Sequence, residues 1–341
     1  MESKGKALAA IAVVALLLIA GMWVLLGSGK KDTSVTLTDA MGREVTVATK
    51  PDSVVSCSPA ITEMIYSFGA GDILLGCTSY CDYPSQVVSA KENGTVKVIG
   101  NFYTNLNTEM IIGLSPDIVF MEESVENSIQ QISKLDDAGI KVVVLKTASG
   151  FEAINDNFDL MGKALHLESK ASQLSQNMDL KLKSVATKVA GETVKPSVMI
   201  AVYWNSNSIW VAGNGTSIDE ILASAGGNNA FHSSNSYDQV NAEDILAADP
   251  DIIVLCGMAL GNADVALSQL QNDPVLKDLN AVKNGKVYVL LDQSENTLVR
   301  QGERMVEGAY LLAMIMYPEL FTKTLPKTLY DDYKSYLPST W

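Results

Sequence analysis

The chain has 341 residues, 47% of them hydrophobic, and its formal net charge is −14. This hydrophobic share excludes a disordered chain, and the length exceeds what a single core usually supports, so two lobes are expected. The negative charge disfavours nucleic acid as a partner, because a polyanion would be repelled.

Residues 1–31 form a segment that predicts membrane attachment. Residues 7–26 are uncharged, and lysines lie on both sides of them. Such a run is long enough to span a bilayer as a helix, whereas a cleaved signal peptide usually has a shorter apolar region. We therefore expect a single-pass transmembrane helix with an extracytoplasmic body, and cleavage of the segment is the alternative. The first cysteine is Cys57, which is too distant for lipid attachment directly behind the apolar run.

Residues 32–148 are predicted to form the first α/β lobe. A small hairpin is expected over 35–47, and strands and helices then alternate along the chain. Continuous apolar runs are typical of strands that are buried in a parallel sheet. The predicted strands are 54–57, 73–78, 117–121 and 141–145, and the predicted helical runs are 60–68, 105–114 and 125–138.

Residues 149–192 are the most regular part of the body and are predicted to link the two lobes. Apolar residues recur at spacings of three and four from Phe151 to Val189, which predicts one long helix or two nearly collinear helices. About forty helical residues would extend about 60 Å. A stiff connection of this kind resists wide hinge closure, so we expect only small opening motions.

Residues 193–341 are predicted to form the second α/β lobe. The alternation of β and α elements in both halves predicts parallel, doubly wound sheets. The expected elements are strands 198–203, 209–212 and 287–291, helices 219–225 and 301–316, and a helix followed by a strand within 241–255.

One sequence pattern occurs in both lobes. EMIIGLSPDIVF fills residues 109–120, and EDILAADPDIIV fills residues 243–254. In each copy a short helical run stops before a proline and continues into an apolar strand. The repeat indicates two related lobes, and clefts between lobes are where small ligands bind.

The repeat places Glu109 and Glu243 at the start of a short helix in each lobe. A carboxylate there is favoured by the helix dipole, so a structural role is one interpretation. The other is that the two glutamates are a pair of docking points for basic residues on a dimeric partner, because arginine and carboxylate bind with defined geometry.

Several aromatic residues fall in polar loops that follow predicted strands. In open α/β sheets the ligand binds beyond the carboxyl ends of the strands, so these aromatics are candidates for lining a cleft. Tyr103 and Tyr237 each precede a repeat glutamate by six residues, so the two lobes carry matched positions. The candidates are Tyr80, Tyr103, Trp204 and Tyr237.

Signatures of catalysis and of metal binding are missing from the sequence. There is no glycine-rich nucleotide motif and no nucleophile elbow, and His166 and His232 are the only histidines. We therefore predict no catalytic residues, no metal site and no intrinsic cofactor. The four cysteines form no paired zinc-binding knuckles. They are expected to be buried free thiols, and a disulfide among Cys57, Cys77 and Cys81 is the alternative.

The chain resembles a known family over residues 35–321. The similar segments are VVSCSPAITEMIYSFGA with DILLGCTSYCDYP, VIGNFYTNLNTEMIIGLSPDIVF, IWVAGNGTSIDEILASAGGNNAF, VNAEDILAADPDIIVL and LNAVKNGKVYVL. They are similar, in this order, to the substrate-binding proteins of ABC importers for ferric siderophores, haem and cobalamin. In that family two Rossmann-like lobes are joined by one long helix.

The resemblance implies how such a protein would work. It implies that Glu109 and Glu243 meet arginines of a permease dimer, which acts with ATPase subunits. Tyr80, Tyr103 and Tyr237 fall at positions like the cleft aromatics of cobalamin-binding members, although tryptophan is usual at the last two.

The ligand implied is a metal chelate: a corrinoid such as cobalamin, a ferric siderophore or haem. Arg300 is a candidate for facing the cleft, as basic residues do in binders of acidic chelates. For haem, Tyr103 is the candidate iron ligand. A chelatase-like metal-inserting enzyme and a surface adhesion module are the competing interpretations.

Overall fold

The structure is a computed structural model that describes residues 34–47, 50–101, 105–124, 128–147, 149–205, 208–256 and 263–341. The predicted transmembrane segment and Tyr103 therefore lie outside the described residues. Within these ranges, no helix combines the length and the apolar character that are needed to cross a bilayer.

The first lobe contains a parallel sheet with helices packed around it, as predicted. Its five described strands are ordered β5-β4-β3-β8-β9 and all neighbours run parallel. The predicted hairpin over 35–47 is confirmed as the antiparallel pair β1-β2. The strands are β1 (Val35–Thr38), β2 (Glu44–Val47), β3 (Val54–Ser56), β4 (Leu74–Cys77), β5 (Lys97–Val98), β6 (Gly100–Asn101), β7 (Asn105–Leu106), β8 (Ile118–Glu122) and β9 (Lys141–Leu145), and the helices are α1 (Pro59–Ser67), α2 (Ser85–Glu92), α3 (Thr108–Leu114) and α4 (Ser128–Asp137).

The connection between the lobes differs from the prediction of one long helix. It consists of α5 (Phe151–Leu165) and α6 (Glu168–Val189), separated by His166 in the left-handed conformation with φ 55°. The helices are not collinear either, because a Cβ on Gly162 would lie 2.6 Å from the Cβ of Ala171. Nine residues of a straight helix would instead separate these positions by about 13 Å.

The second lobe contains a mixed sheet, which corrects the prediction of purely parallel sheets. Strands β10, β12, β14, β15 and β16 run parallel, whereas β11 runs antiparallel to both of its neighbours, β10 and β13. Only residues 206–207 separate β10 from β11, and a parallel crossover needs a dozen or more residues. The strands are β10 (Ser197–Asn205), β11 (Ser208–Ala212), β12 (Asn228–Asn229), β13 (Tyr237–Val240), β14 (Ile252–Cys256), β15 (Val287–Leu290) and β16 (Thr328–Leu329), and the helices are α7 (Ser217–Ser224), α8 (Ala242–Ala248), α9 (Ala263–Asn272), α10 (Asn280–Lys283), α11 (Asp292–Val299) and α12 (Met305–Met316).

The sequence repeat corresponds to a structural repeat. Each copy forms a seven-residue helix followed by a central parallel strand, namely α3 with β8 and α8 with β14. The aspartate of each Pro-Asp pair accepts backbone N–H bonds at the start of the neighbouring strand: Asp117 from Ser53 at 3.0 Å, and Asp251 from Ser197 at 2.8 Å. The repeat therefore fixes the register between the two central strands of each sheet.

The two lobes are also joined through their cores. Each sheet buries a separate apolar cluster on one face. On the other face, one continuous cluster includes Ile61 of the first lobe, Phe158 and Met178 of the linking helices, and Val254 of the second lobe. The lobes are therefore distinct at their sheets but share a hydrophobic core along the linking helices.

Candidate functional site

The loop after β4 presents Tyr80 at the carboxyl end of the first sheet. Its backbone turns at Thr78, whose carbonyl accepts the N–H of Cys81 at 3.2 Å. The Tyr80 ring is half exposed, whereas Cys77 and Cys81 on either side are buried. The loop therefore anchors itself through its buried cysteines and exposes the Tyr80 side chain, and the role of Tyr80 as a cleft aromatic stays a prediction.

Arg300 of the second lobe reaches across to this loop. Its guanidinium donates to Asp82 at 2.6 Å, to Glu63 at 3.0 Å and to the Tyr80 carbonyl at 3.2 Å. Burial opposes ionisation of Asp82, but the hydrogen bond from Arg300 lowers the pKa of that carboxyl overall. The predicted ligand role of Arg300 stays a prediction; the structure shows it orienting the loop that carries Tyr80.

Beside this contact lies a buried polar cluster that connects the lobes, which we call the inter-lobe brace: Glu63, Arg300, Arg304, Glu307 and Tyr333. Arg304 binds Glu63 through two hydrogen bonds of 2.7 and 2.6 Å. The Tyr333 hydroxyl donates to Glu307 at 2.6 Å. Sequence reasoning singled out Arg300 but missed its contact with Glu63, because Glu63 is more than 200 residues away in the chain and no local pattern links the two.

The exposed aromatics of the second lobe share one face of the antiparallel strands. Tyr203 lies directly opposite Trp210, and Tyr237 lies opposite Ala212, two residues further along. Residues that are opposed across strands, or two apart along a strand, share a face. Tyr203, Trp210 and Tyr237 are all exposed there, so they form an aromatic surface that can stack against a flat ligand.

Trp204, a predicted cleft residue, has a different environment. Only 5% of it is exposed, and it packs with Met199 and Phe231 in the separate core of the second lobe. It also lines a cavity of about 480 Å³ that lies within the second lobe rather than between the lobes. Its neighbour Tyr203 is the exposed one, because successive side chains of a strand alternate between faces.

A second cavity, of about 430 Å³, lies between the lobes. Its first-lobe wall includes Glu123 and Thr147 just beyond β8 and β9, and its second-lobe wall is Glu220, which accepts the backbone N–H of Phe151 at 3.2 Å. Four carboxylates and one amine line it, so it is negatively charged; the charged residues are Glu123, Glu152, Asp156, Glu220 and Lys146.

The repeat glutamates occupy matched positions. Glu109 and Glu243 are each the second residue of a seven-residue helix, behind a capping asparagine, Asn107 or Asn241. Both are exposed, and neither has a hydrogen-bond or ion-pair partner within the part of the chain that the structure describes. Two equivalent carboxylates are therefore available to a partner.

Three thiols, those of Cys57, Cys77 and Cys81, form a buried cluster at the carboxyl end of the first sheet, whereas Cys256 lies on β14 of the second lobe. All four cysteines are buried and free in the structure. Burial raises the pKa of Cys81, but hydrogen bonds from Cys77, Thr62 and Thr78 outweigh it and lower the pKa to about 7. Among the described residues, no group of three or more His, Cys, Asp or Glu side chains could hold a metal ion.

Comparison with known proteins decides the family. Residues 54–293 match the family described as periplasmic binding protein. The chain belongs to this family. It is 31% identical over 290 residues to YvrC of Bacillus subtilis, an uncharacterized ABC transporter substrate-binding lipoprotein. The aligned residues cover 84% of this chain and 87% of the relative. A cobalamin-binding protein of Halobacterium salinarum is 24% identical over 278 residues, or 80% of this chain and 71% of the relative.

Solved structures show the same fold. The periplasmic haem-binding protein RhuT of Roseiflexus sp. RS-1 superposes with a TM-score of 0.69 at 22% identity, covering 79% of this chain and 99% of that chain. The vitamin B12-binding protein BtuF of Vibrio cholerae superposes with a TM-score of 0.63 at 22% identity, covering 79% and 98%. These structures show the fold, and the match over residues 54–293 together with the Bacillus subtilis relative confirms the family that the sequence resembles.

Proposed function

We propose that the protein is the extracytoplasmic substrate-binding protein of an ABC importer, and that it captures a corrinoid between its lobes without covalent chemistry. The observation that supports the proposal is the pairing of two related α/β lobes, each of which exposes aromatic side chains that are available to a flat ligand. Tyr80 supplies the first-lobe aromatic, and Tyr203, Trp210 and Tyr237 supply the second-lobe surface.

The charge of the inter-lobe cavity, which is lined by none of the exposed aromatics named above, favours a corrinoid over the two other chelates. The inter-lobe cavity is lined by four carboxylates and one lysine. Haem carries two propionates, and many ferric siderophores are anionic, so both would be repelled. A corrinoid presents peripheral amides whose N–H groups can donate to carboxylates, and its flat ring suits stacking on tyrosine and tryptophan. The relatives named as cobalamin-binding support the same choice.

We place the protein at the outer face of a membrane, tethered through residues 7–26 as a single-pass anchor. The apolar length of this segment supports the proposal. The Bacillus subtilis relative is named a lipoprotein, which is another way to tether a similar body. In either arrangement the binding lobes stay close to the permease.

Glu109 and Glu243 are proposed to dock on a permease dimer that acts with its ATPase subunits. Each glutamate lies at the same place in one of the two related lobes and is exposed. Two related carboxylates match a partner with two-fold symmetry that presents the same basic group twice.

Isothermal titration calorimetry on the full-length protein in detergent micelles tests the ligand. Cyanocobalamin should bind with a Kd of about 1 μM or tighter, and haemin and ferric siderophores should bind more weakly. Tyr237→Ala should weaken cyanocobalamin about tenfold, since it removes stacking and buried area. The matched control Tyr330→Ala, an exposed tyrosine of the C-terminal segment, should not. The corrinoid assignment is wrong if haemin or a siderophore binds more tightly, and the receptor function is wrong if no chelate binds.

A further inference from the structure

The docking helices carry exposed apolar side chains as well as glutamates. In α8, Leu246 is 45% exposed and lies one turn from Glu243 on the same helix face. In α3, Met110 is 40% exposed and directly follows Glu109. Single exposed apolar residues are common on protein surfaces. Here, however, each of the two related helices combines one exposed apolar residue with one unpartnered carboxylate.

The capping hydrogen bonds show which polar side chains stabilise the start of each helix. In α8, Asp244 completes a capping box, because its carboxylate accepts the N–H of Asn241 at 3.0 Å. Glu243 beside it takes no part in the cap. Met110 occupies the position in α3 that corresponds to Asp244, and there the Asn107 side chain alone caps the helix. Folding therefore uses neither repeat glutamate and leaves both apolar side chains partly exposed.

The free energies of the two kinds of contact indicate that the glutamates alone would bind a permease weakly. An exposed ion pair strengthens binding by less than about fivefold. Covering the exposed half of a leucine or methionine side chain strengthens it by about tenfold. Contacts that dominate an interface are usually desolvated side chains surrounded by a polar rim. A partner that covers Met110 and Leu246 thus gains more affinity from them than from the two carboxylates.

We propose that each lobe docks on the permease through a two-residue contact, Glu109 with Met110 and Glu243 with Leu246, in which the apolar residue supplies affinity and the glutamate sets position. This rests on the proposed function. The occupant is a permease dimer, because the exposed glutamate occurs at the same place in each of two related helices and fits a basic partner with two-fold symmetry. The apolar residue lies at a different position in each helix, directly after Glu109 in α3 and three residues after Glu243 in α8. Each basic site of the permease should therefore adjoin an apolar recess.

The test compares four full-length chains in host cells that lack the native copy: wild type, Met110→Gln with Leu246→Gln, Glu109→Arg with Glu243→Arg, and Leu180→Gln. Leu180 is the matched control, since it is an exposed leucine on the linking helix α6. Initial uptake of ⁵⁷Co-cyanocobalamin and of ⁵⁵Fe-haemin is measured at equal surface amounts of protein. Binding of the same probes to each purified full-length chain is measured in parallel.

The expected result is that the Met110→Gln, Leu246→Gln chain loses at least about tenfold in uptake. Its ligand affinity should stay within twofold of wild type, and Leu180→Gln should be unchanged in both assays. Normal uptake by this chain, with uptake abolished in the glutamate-reversed chain, overturns the apolar contact and leaves docking by carboxylates. Normal uptake by the glutamate-reversed chain overturns the docking surface altogether. No uptake of either probe by wild type overturns the proposed function itself.

Discussion

Glu122 is a carboxylate buried at the carboxyl end of the central strand β8, where it accepts hydrogen bonds from Ser58 and Ser124. Burial raises its pKa from 4.5 to about 7, and the bond from Ser58 only partly offsets this. Between pH 4.5 and 7 the folded protein therefore keeps a proton that the unfolded chain has lost. Its contribution to stability is complete below pH 4.5, falls as the pH rises through this window, and is absent above it.

Glu122→Gln should remove this pH dependence. The free energy of unfolding of the wild type, relative to the variant, should fall by about 3 kcal/mol between pH 4 and pH 8. Urea denaturation at several pH values measures this difference. Glu44→Gln, a change at an exposed carboxylate on β2, should alter the unfolding free energy by no more than about 0.5 kcal/mol. A wild-type minus Glu122→Gln difference that is the same at both pH values would contradict the assignment.

At the residue scale, the sequence predicts which types of residue form a site better than it predicts which way their side chains face. Adjacent aromatics such as Tyr203 and Trp204 both suit a cleft, and only the register with β11 shows which one is exposed. Nothing in the sequence around Arg300 indicates that its guanidinium is already paired within the protein. Its partner Glu63 lies on the first helix of the other lobe, and no local pattern links the two. Contacts between lobes depend on how the lobes pack, which sequence periodicity does not encode.

At the element scale, the break between α5 and α6 explains where periodicity misleads. The apolar spacing of three and four holds within each helix, so the same pattern on both sides of the break suggests one helix. The sequence signal of the break is the nine-residue interval between the predicted apolar positions Leu165 and Leu174, where His166 adopts its left-handed conformation. The predicted parallel direction of β11 failed for a related reason, since alternating elements do not reveal connections that are too short for a crossover.

Gly162 allows the two linking helices to cross closely, and a side chain there should separate them. A Cβ at this position would lie 2.6 Å from the Cβ of Ala171, so Gly162→Ala should lower the free energy of unfolding by about 1–3 kcal/mol. Gly113→Ala in α3 is the control, since a Cβ there meets nothing within 4 Å and should stabilise the protein by up to about 1 kcal/mol. Thermal unfolding compares the two. Equal shifts of the same sign would show that the crossing tolerates a larger residue.

At the scale of the whole molecule, two features oppose wide opening of the cleft. One apolar cluster continues from the first lobe through α5 and α6 into the second. The inter-lobe brace then ties α1 to the start of α12, with the Arg304 guanidinium also stacked 4.1 Å from the centre of the Tyr83 ring. The sequence predicted restricted motion from a single stiff helix. Restricted motion stays a prediction, and the structure supports it through a shared core and a buried ion pair rather than through a single stiff helix.

Because Arg304 and Glu63 are both buried, removing one partner should cost far more than breaking an exposed pair. Arg304→Met should lower the free energy of unfolding by about 3 kcal/mol, because it removes two of the three hydrogen bonds that the buried Glu63 carboxylate accepts from guanidinium groups and leaves it with Arg300 alone. Adding Glu63→Leu to this variant should restore most of the loss. Lys283→Met, which breaks the exposed pair with Asp278, should cost less than about 1 kcal/mol. Urea denaturation of the four chains measures these differences, and a loss in Arg304→Met no larger than in Lys283→Met would show that the brace does not hold the lobes together.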